Sequence, residues 1–317
     1  MENNVASTKV CFGIDVGGTT IKVGLFDELG TMIDKWQVPT NRNENGRYIL
    51  NDLSEFILNV IKDKKISDED ILGIGLGIPG PVRDDGIVIG CVNLGWGIFN
   101  AANVLTELTG LKVIVNNDAN IAALGEQWQG GGKGFKSTVF ITLGTGVGGG
   151  IIIDDHILTG SNGAAGEIGH MTVNFEETES CNCGKKGCLE QYASATGIVR
   201  LAKKYLSQNS DSTLLNNEKL NARIIFDHAK AGDKLAIDVV KRACSYLGVA
   251  LTHVAAVVDP EAFVIGGGVS NAGSILIDYT KEEYENNVMQ ALRNKDFKLA
   301  ILGNDAGIYG AAKMVVG

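Results

Sequence analysis

Glu167, His170, Cys181, Cys183, Cys188 and Glu190 lie close together in the chain. They read Glu-Ile-Gly-His, ten residues, then Cys-Asn-Cys-Gly-Lys-Lys-Gly-Cys-Leu-Glu. One imidazole and three thiols are the donor set of a closed tetrahedral zinc site, with no coordination position left open for catalysis. Gly184 and Gly187 stand between the last two thiols, where a tight loop needs residues that tolerate positive φ. The competing readings are a disulfide or a cysteine-rich loop without a metal; the spacing favours zinc. Glu167 and Glu190 bracket the cluster. Carboxylates at both ends suit a metal that holds substrate-binding groups in place better than a purely structural knot.

A second group of residues has the makings of phosphate chemistry. Val10–Val16 is an apolar run that meets Gly17-Gly18-Thr19, and a second apolar run leaves toward Asp27, with Asp15 at the turn. The pattern recurs at Ser137–Leu143, Gly144-Thr145-Gly146 and Val147–Ile153. Gly144, Gly146 and Gly149 formally satisfy G-x-G-x-x-G, but the dinucleotide fingerprint requires a helix after the loop. This loop runs into Ile151-Ile152-Ile153, so it joins two strands and the dinucleotide reading is set aside. Two glycine hairpins of this kind can clasp a polyphosphate through backbone N–H groups; the plainer alternative is a pair of ordinary tight hairpins.

An echo between distant segments points to duplication. Leu111 to Leu124 reads as strand, Asn117-Asp118, helix; Lys298 to Ala312 reads as strand, Asn304-Asp305, helix. Two strand–turn–strand units, each followed later by a strand–Asn-Asp–helix unit, imply two related α/β lobes. Asp118 at the end of its strand is placed where ligands of α/β sheets gather. It is a candidate general base and equally a helix N-cap, and Asp305 is its rival on sequence grounds.

The elements that must position these groups are ordinary. At 317 residues and 33.5 kDa, with 44% hydrophobic and 21% charged residues, the chain has room for two domains. Amphipathic helices are expected over 47–63, 197–206 and 233–257, polar loops over 40–46 and 207–220, and a flexible connection at Gly130–Gly134. The net charge of −9 disfavours nucleic acid and an anionic membrane surface. No apolar run reaches spanning length and no secretory signal is visible, so a cytoplasmic protein is expected. Cys11, Cys91 and Cys244 read as small core residues, and all six thiols suit a reducing compartment.

Taken in order, Asp15-x-Gly17-Gly18-Thr19, the glycine segment ending in Glu167-x-Gly169-His170, and Cys181-x-Cys183-Gly184-x-x-Gly187-Cys188-x-Glu190 resemble the ROK family of bacterial sugar kinases and repressors. The likeness covers the chain from about residue 9, and within the family it is greatest to the glucokinases of Gram-positive bacteria. It implies a two-lobed actin/hexokinase-like ATPase fold with ribonuclease H-like duplicated lobes and a zinc-binding loop. The lobes would be 1–118, joined by a C-terminal helix from about 306, and 119–305, closing over substrate. Asp15, Gly17, Gly18 and Thr19 resemble the first phosphate loop, with Asp15 near Mg²⁺. Thr145 and Gly146 resemble the second, and Gly267 and Gly268 the adenosine side. Asp118 resembles the catalytic base, which decides between it and Asp305. Asn117, Asp118, Glu167, His170 and Glu190 resemble sugar ligands, with Gly80 and Asn93 as further sugar-side candidates. His170, Cys181, Cys183 and Cys188 resemble the zinc ligands. If Glu167 and His170 share a helical turn, they face one way, and one imidazole nitrogen can bind zinc while the other meets a sugar hydroxyl. The implied reaction is transfer of the ATP γ-phosphoryl group from Mg-ATP to the glucose 6-hydroxyl. Another hexose or N-acetylated amino sugar is the alternative substrate, and a sugar-responsive regulator the more distant alternative. Family repressors carry an N-terminal DNA-binding domain, whereas about eight residues precede the first strand here. Homodimers or homotetramers are implied.

Overall fold

Both glycine turns join two strands in the computed structural model, which describes residues 9–208, 214 and 219–317. The residues ahead of the first strand, and much of the loop expected over 207–220, fall outside the described residues. In the first unit β1 (Val10–Val16) pairs antiparallel with β2 (Thr20–Asp27), and β2 with β3 (Met32–Pro39). A left-handed turn at Glu44 and Asn45 within α1 (Asn43–Gly46) leads to α2 (Ile49–Lys64). Next come β4 (Ile71–Ile78), the small hairpin β5 (Ile87–Val88) and β6 (Phe99–Asn100), and α3 (Ala101–Thr109). β7 (Val113–Asn117) and α4 (Asp118–Gln129) follow. The sheet order is β3-β2-β1-β4-β7, with β4 parallel to both β1 and β7. β1 is buried along nearly its whole length because it is covered on both faces, which is why it reads as an unbroken apolar run. Phe12 and Ile14 pack with Leu53 and Ile57 of α2 on one side, and Cys11 packs with Ile308 and Ala312 on the other.

The second sheet repeats the first in its order. β8 (Thr138–Leu143), β9 (Val147–Ile153) and β10 (His156–Ile157) are followed by α5 (Glu190–Ala193), α6 (Ala195–Leu206), α7 (Ala222–Lys230) and α8 (Lys234–Val258). The chain then forms β11 (Ala262–Gly266), α9 (Ser274–Asn287), β12 (Asp296–Leu299) and α10 (Ala306–Val316). The order β10-β9-β8-β11-β12 has β11 parallel to β8 and to β12. A hairpin followed by parallel strands, twice over, is the duplication expected from the sequence. Ser194, Asn221 and Asp233 cap α6, α7 and α8 through their side-chain oxygens. The helices expected over 47–63, 197–206 and 233–257 are α2, α6 and α8.

One compact unit takes the chain up to Gly134 together with Gly150–Ala165 and Asn304–Gly317; the other takes Phe135–Gly149 and Gly166–Gly303. The units therefore part later than the boundary expected near residue 118. The reason is α4, which packs backbone to backbone on α10. A Cβ on Gly310 would lie 1.6 Å from the Ile121 carbonyl oxygen, and one on Gly125 would lie 2.1 Å from that of Ala306. The segment Gly130–Gly134 is also tied down rather than loose. The Gly131 N–H donates to the buried Glu126 carboxylate at 2.8 Å, and the Gly132 N–H to the Glu126 carbonyl at 2.8 Å. Among the described residues no helix is long and apolar enough to cross a membrane.

Candidate active site and metal centre

Asn117, not Asp118, caps α4. Its Oδ1 accepts from the N–H groups of Ala119 at 2.9 Å and Asn120 at 3.3 Å, while its Nδ2 donates to the Gly80 carbonyl at 3.0 Å. The cap reading of Asp118 is thereby replaced: Asp118 is the first helical residue, at the C-terminal end of β7, and its Oδ1 accepts from Ala119 N–H at 2.8 Å. Solvent reaches the side chain, yet the protein crowding it strips away enough water to lift its pKa to about 6. The like charge of Asp15 adds to that rise, and the Ala119 N–H opposes it. Burial also raises Asp15 at the end of β1, with Lys22 Nζ, 3.8 Å from Oδ2, pulling the other way.

The first unit also holds the other residues expected in it. The Gly17 N–H donates to the Thr20 carbonyl at 3.1 Å and the Thr40 hydroxyl to the Gly17 carbonyl at 2.7 Å, which leaves Thr19 exposed at the tip of the turn. Asn93 is exposed on a loop closed by mutual backbone bonds between Cys91 and Trp96. Burial raises the Cys91 thiol, and the Asp118 charge adds to that rise. The Asp305 carboxylate pairs with Lys35 Nζ at 2.5 Å.

In the second unit the hairpin turn and the cysteine loop meet at Glu190. Oε2 of Glu190 accepts from the Val147 N–H at 3.1 Å, and Oε1 lies 3.7 Å from Cys181 Sγ. A Cβ on Gly146 would lie 2.1 Å from Oε2, so only glycine lets the turn come this close. The Thr145 carbonyl accepts from the Thr196 hydroxyl at 2.8 Å, and the Gly144 carbonyl from Ala195 N–H at 2.8 Å; the Thr145 side chain is left exposed. Glu167 precedes a single tight 3-10 turn, Ile168–His170, its carbonyl accepting the His170 N–H at 3.1 Å and its side chain exposed.

The ligand atoms of His170, Cys181, Cys183 and Cys188 lie within 4.8 Å of one another. Cys183 and Cys188 are 3.6 Å apart at sulfur, and His170 Nδ1 is 3.8 Å from Cys181 Sγ. Zinc–sulfur bonds of about 2.3 Å in a tetrahedron give edges of about 3.8 Å, so the donor set fits a metal ion of that kind. A disulfide needs sulfurs about 2.0 Å apart, which excludes that reading; all six cysteines are free. Gly184 and Gly187 take φ of 85° and 73°, the left-handed conformations the loop was expected to need. Cys11, Cys91 and Cys244 are buried, as core residues should be.

β11 ends at Gly266, and Gly267 and Gly268 lead into a turn beside α7. A cavity of about 500 Å³ opens there, lined by Asn221, Arg223, Phe226, Asp227, Lys230 and Gly268 among others. Its volume is that of a small-molecule site. The α7 side chains were not singled out in the sequence. Asn221 ahead of the amphipathic run Ala222–Lys230 is the cap signal that would have found the helix, but nothing local says that it walls a cavity with Gly268.

Comparison with known proteins agrees with this architecture. The model of the ROK family matches residues 11–317. The chain belongs to the ROK family. It is 45% identical over 309 residues to a glucokinase of Halalkalibacterium halodurans, covering 96% of this chain and 94% of that protein. A glucokinase of Thermotoga maritima is 37% identical, with 96% of each chain covered. Among solved structures, a ROK family glucokinase from Streptomyces griseus in complex with glucose and AMPPNP superposes with a TM-score of 0.72 at 31% identity, covering 96% of this chain and 98% of that one.

Proposed function

We propose that this protein is an ATP-dependent glucokinase, transferring the γ-phosphoryl group of ATP to the 6-hydroxyl of glucose. The observation that carries the reading is Asp118, a carboxylate lifted to about 6 at the C-terminal end of β7, in a chain 45% identical to a glucokinase over 309 residues. Phosphoryl transfer asks little covalent chemistry of the protein; it needs a placed hydroxyl, a group to take its proton, and charges that hold the phosphates. Asp118 takes the proton of the 6-hydroxyl. A base with pKa near 6 is still ionised at neutral pH, yet accepts a proton more readily than an ordinary carboxylate.

The remaining assignments follow the family and the local geometry. The backbone N–H groups of Gly17, Gly18 and Thr19, and those around Thr145 and Gly146, receive the phosphates. Asp15 faces the hydrated Mg²⁺ that accompanies ATP, which when bound neutralises phosphate charge. Gly267 and Gly268 border the adenosine, for which the cavity against α7 is the candidate pocket. Glu167, His170 and Glu190 bind sugar hydroxyls, and Gly80 and Asn93 are further sugar-side candidates. Asn117 has less to offer than its residue type suggests: its oxygen is occupied by the cap, and one amide hydrogen remains for the sugar. Zinc held by His170, Cys181, Cys183 and Cys188 would be structural, fixing the imidazole orientation and the course of the loop. A cytoplasmic homodimer or homotetramer is the expected form.

A coupled assay of purified protein against a panel of sugars with Mg-ATP tests the reading. Glucose should lead, with kcat/KM for fructose and N-acetylmannosamine at least roughly 100-fold lower, because a site built to bond particular hydroxyls rejects analogues that leave its polar groups unpaired. Fructose or an amino sugar outrunning glucose would overturn the substrate and leave the kinase chemistry standing. The pH profile tests the base. Asp118 must be ionised to accept a proton, so kcat/KM for glucose should fall on acidification through about pH 6. A profile flat down to pH 4.5 would remove Asp118 from the role.

A further inference from the structure

The ten residues between His170 and Cys181 have no regular secondary structure, yet they must hold two of the four metal donors in register. Their ends are pinned within the cysteine loop, the Val173 N–H donating to the Gly187 carbonyl at 2.7 Å and the Cys181 N–H to the Lys185 carbonyl at 2.7 Å, and their middle is held from α5 and α6. Arg200 of α6 forks onto two of its carboxylates: Nη2 donates to Glu177 Oε2 at 2.6 Å and Nη1 to Glu179 Oε2 at 3.1 Å. Its Nε donates to the Gln191 carbonyl at 3.3 Å, and its guanidinium lies over the Tyr192 ring, 5.0 Å from the centroid. Tyr192, 3% exposed, donates its hydroxyl to the same Glu177 oxygen and accepts from Asn174 Nδ2 at 2.8 Å. Gln191 closes the ring, donating to the Glu179 carbonyl at 3.0 Å and accepting from the Cys188 N–H at 3.1 Å. Arg200 and Tyr192 hold the Glu177 carboxyl down at about 2, so the clasp persists across the working pH range.

Two features make this more than a surface ion pair. Glu177 is only 10% exposed at its side chain, so the charge-assisted bonds are poorly screened. The clasp is also built on Gln191 and Tyr192, the residues immediately after Glu190. The guanidinium therefore ties the free span of the cysteine loop to the helical turn that carries the carboxylate.

We propose that Arg200 is a positioning residue for the sugar side of the site: by clamping Glu177 and Glu179 against α5 it holds His170, Cys181 and Glu190 in one arrangement. The proposal rests on the sugar-binding reading given above for its kinetic consequence, though not for its structural one. Arg200→Met keeps the aliphatic stem over Tyr192 and removes the fork; Glu177→Gln removes the opposing charge; Arg200→Lys keeps a charge without the fork.

The test compares these variants with the parent protein, all purified with their metal. For Arg200→Met, glucose KM should rise and metal release to a strong chelator should quicken, each by roughly 10-fold, the lower end of the effect of losing a direct outer partner of a metal ligand, because Arg200 reaches Cys188 only through Gln191. KM for ATP should stay within about threefold, and Arg200→Lys should fall between parent and Met. The Arg200→Met/Glu177→Gln double variant should be no worse than the poorer single, as expected for two halves of one interaction. Parent-like glucose KM and metal release in Arg200→Met would overturn the proposal. So would an equal loss in the ATP and glucose parameters with a lowered Tm, the signature of a merely structural role. If the parent prefers another sugar, the KM for that sugar is the kinetic readout. Chelator release involves no sugar, so it separates failure of the clasp from failure of the glucokinase reading.

Discussion

Replacing Asp118 with asparagine should lower kcat for glucose phosphorylation by roughly 10²–10⁴-fold, the usual contribution of a positioned general base. Glucose affinity, measured by calorimetry or intrinsic fluorescence, should be largely retained. The amide preserves the side-chain shape, and its oxygen can still accept the Ala119 N–H that Asp118 Oδ1 now accepts at 2.8 Å, so α4 starts unchanged. What it lacks is the basicity that burial and the neighbouring Asp15 give the carboxylate. Asp305→Asn is the matched control, because it sits at the corresponding strand–helix junction of the duplicated pattern. Its carboxylate pairs with Lys35, so its loss should be felt as a small change in stability and little in kcat. Near-normal kcat in Asp118→Asn, or a dead Asp305→Asn, would show the base to have been misassigned.

Loss of the metal should be the second large effect, and it should appear in sugar binding before it appears in folding. Elemental analysis is expected to give one zinc per chain. Cys183→Ser is the informative variant: Cys183 is the exposed member of the cluster, whereas Cys181 and Cys188 are buried, so the exchange disturbs packing least. In small domains a structural zinc contributes about 10–16 kcal/mol of apparent binding energy and decides whether they fold. Here the loop is one part of a unit whose sheet and helices α6 and α8 pack without it. Cys183→Ser should therefore remain folded by circular dichroism while glucose KM rises steeply and ATP binding changes little. Burial pushes the Cys188 thiol up to about 12, so that thiol gives up its proton only to a cation that compensates the charge, whereas the Lys185 N–H holds the Cys183 thiol below its ordinary value. Active protein without zinc, or Cys183→Ser with parental activity and sugar affinity, would reduce the cluster to a cysteine-rich loop.

The amino-acid sequence alone determined whatever depends on neighbours along the chain. The glycine spacing and the apolar runs on either side announced both hairpins, and the Ile151–Ile153 run excluded a dinucleotide loop. Residue type and spacing within 170–188 picked out the four residues whose ligand atoms converge, and the repeated strand–Asn-Asp–helix pattern announced the duplication. These features are legible because hydrogen bonding and periodicity over a few residues enforce them. The tertiary structure decided what each polar side chain does once distant segments meet. Asp118 reads in the sequence as cap or base; in the structure Asn117, held by the Gly80 carbonyl, is the cap, and crowding lifts the Asp118 carboxyl to about 6. Asp305 is locally equivalent to Asp118 until Lys35 from another strand claims it. Glu190 turns out to tie the Gly144–Gly146 turn to Cys181. Helix α4 belongs with the first unit because Gly125 and Gly310 let α10 approach it backbone to backbone. In each case the deciding partner lies tens or hundreds of residues away, and the strength of a charge or a hydrogen bond depends on that partner and on the water it displaces.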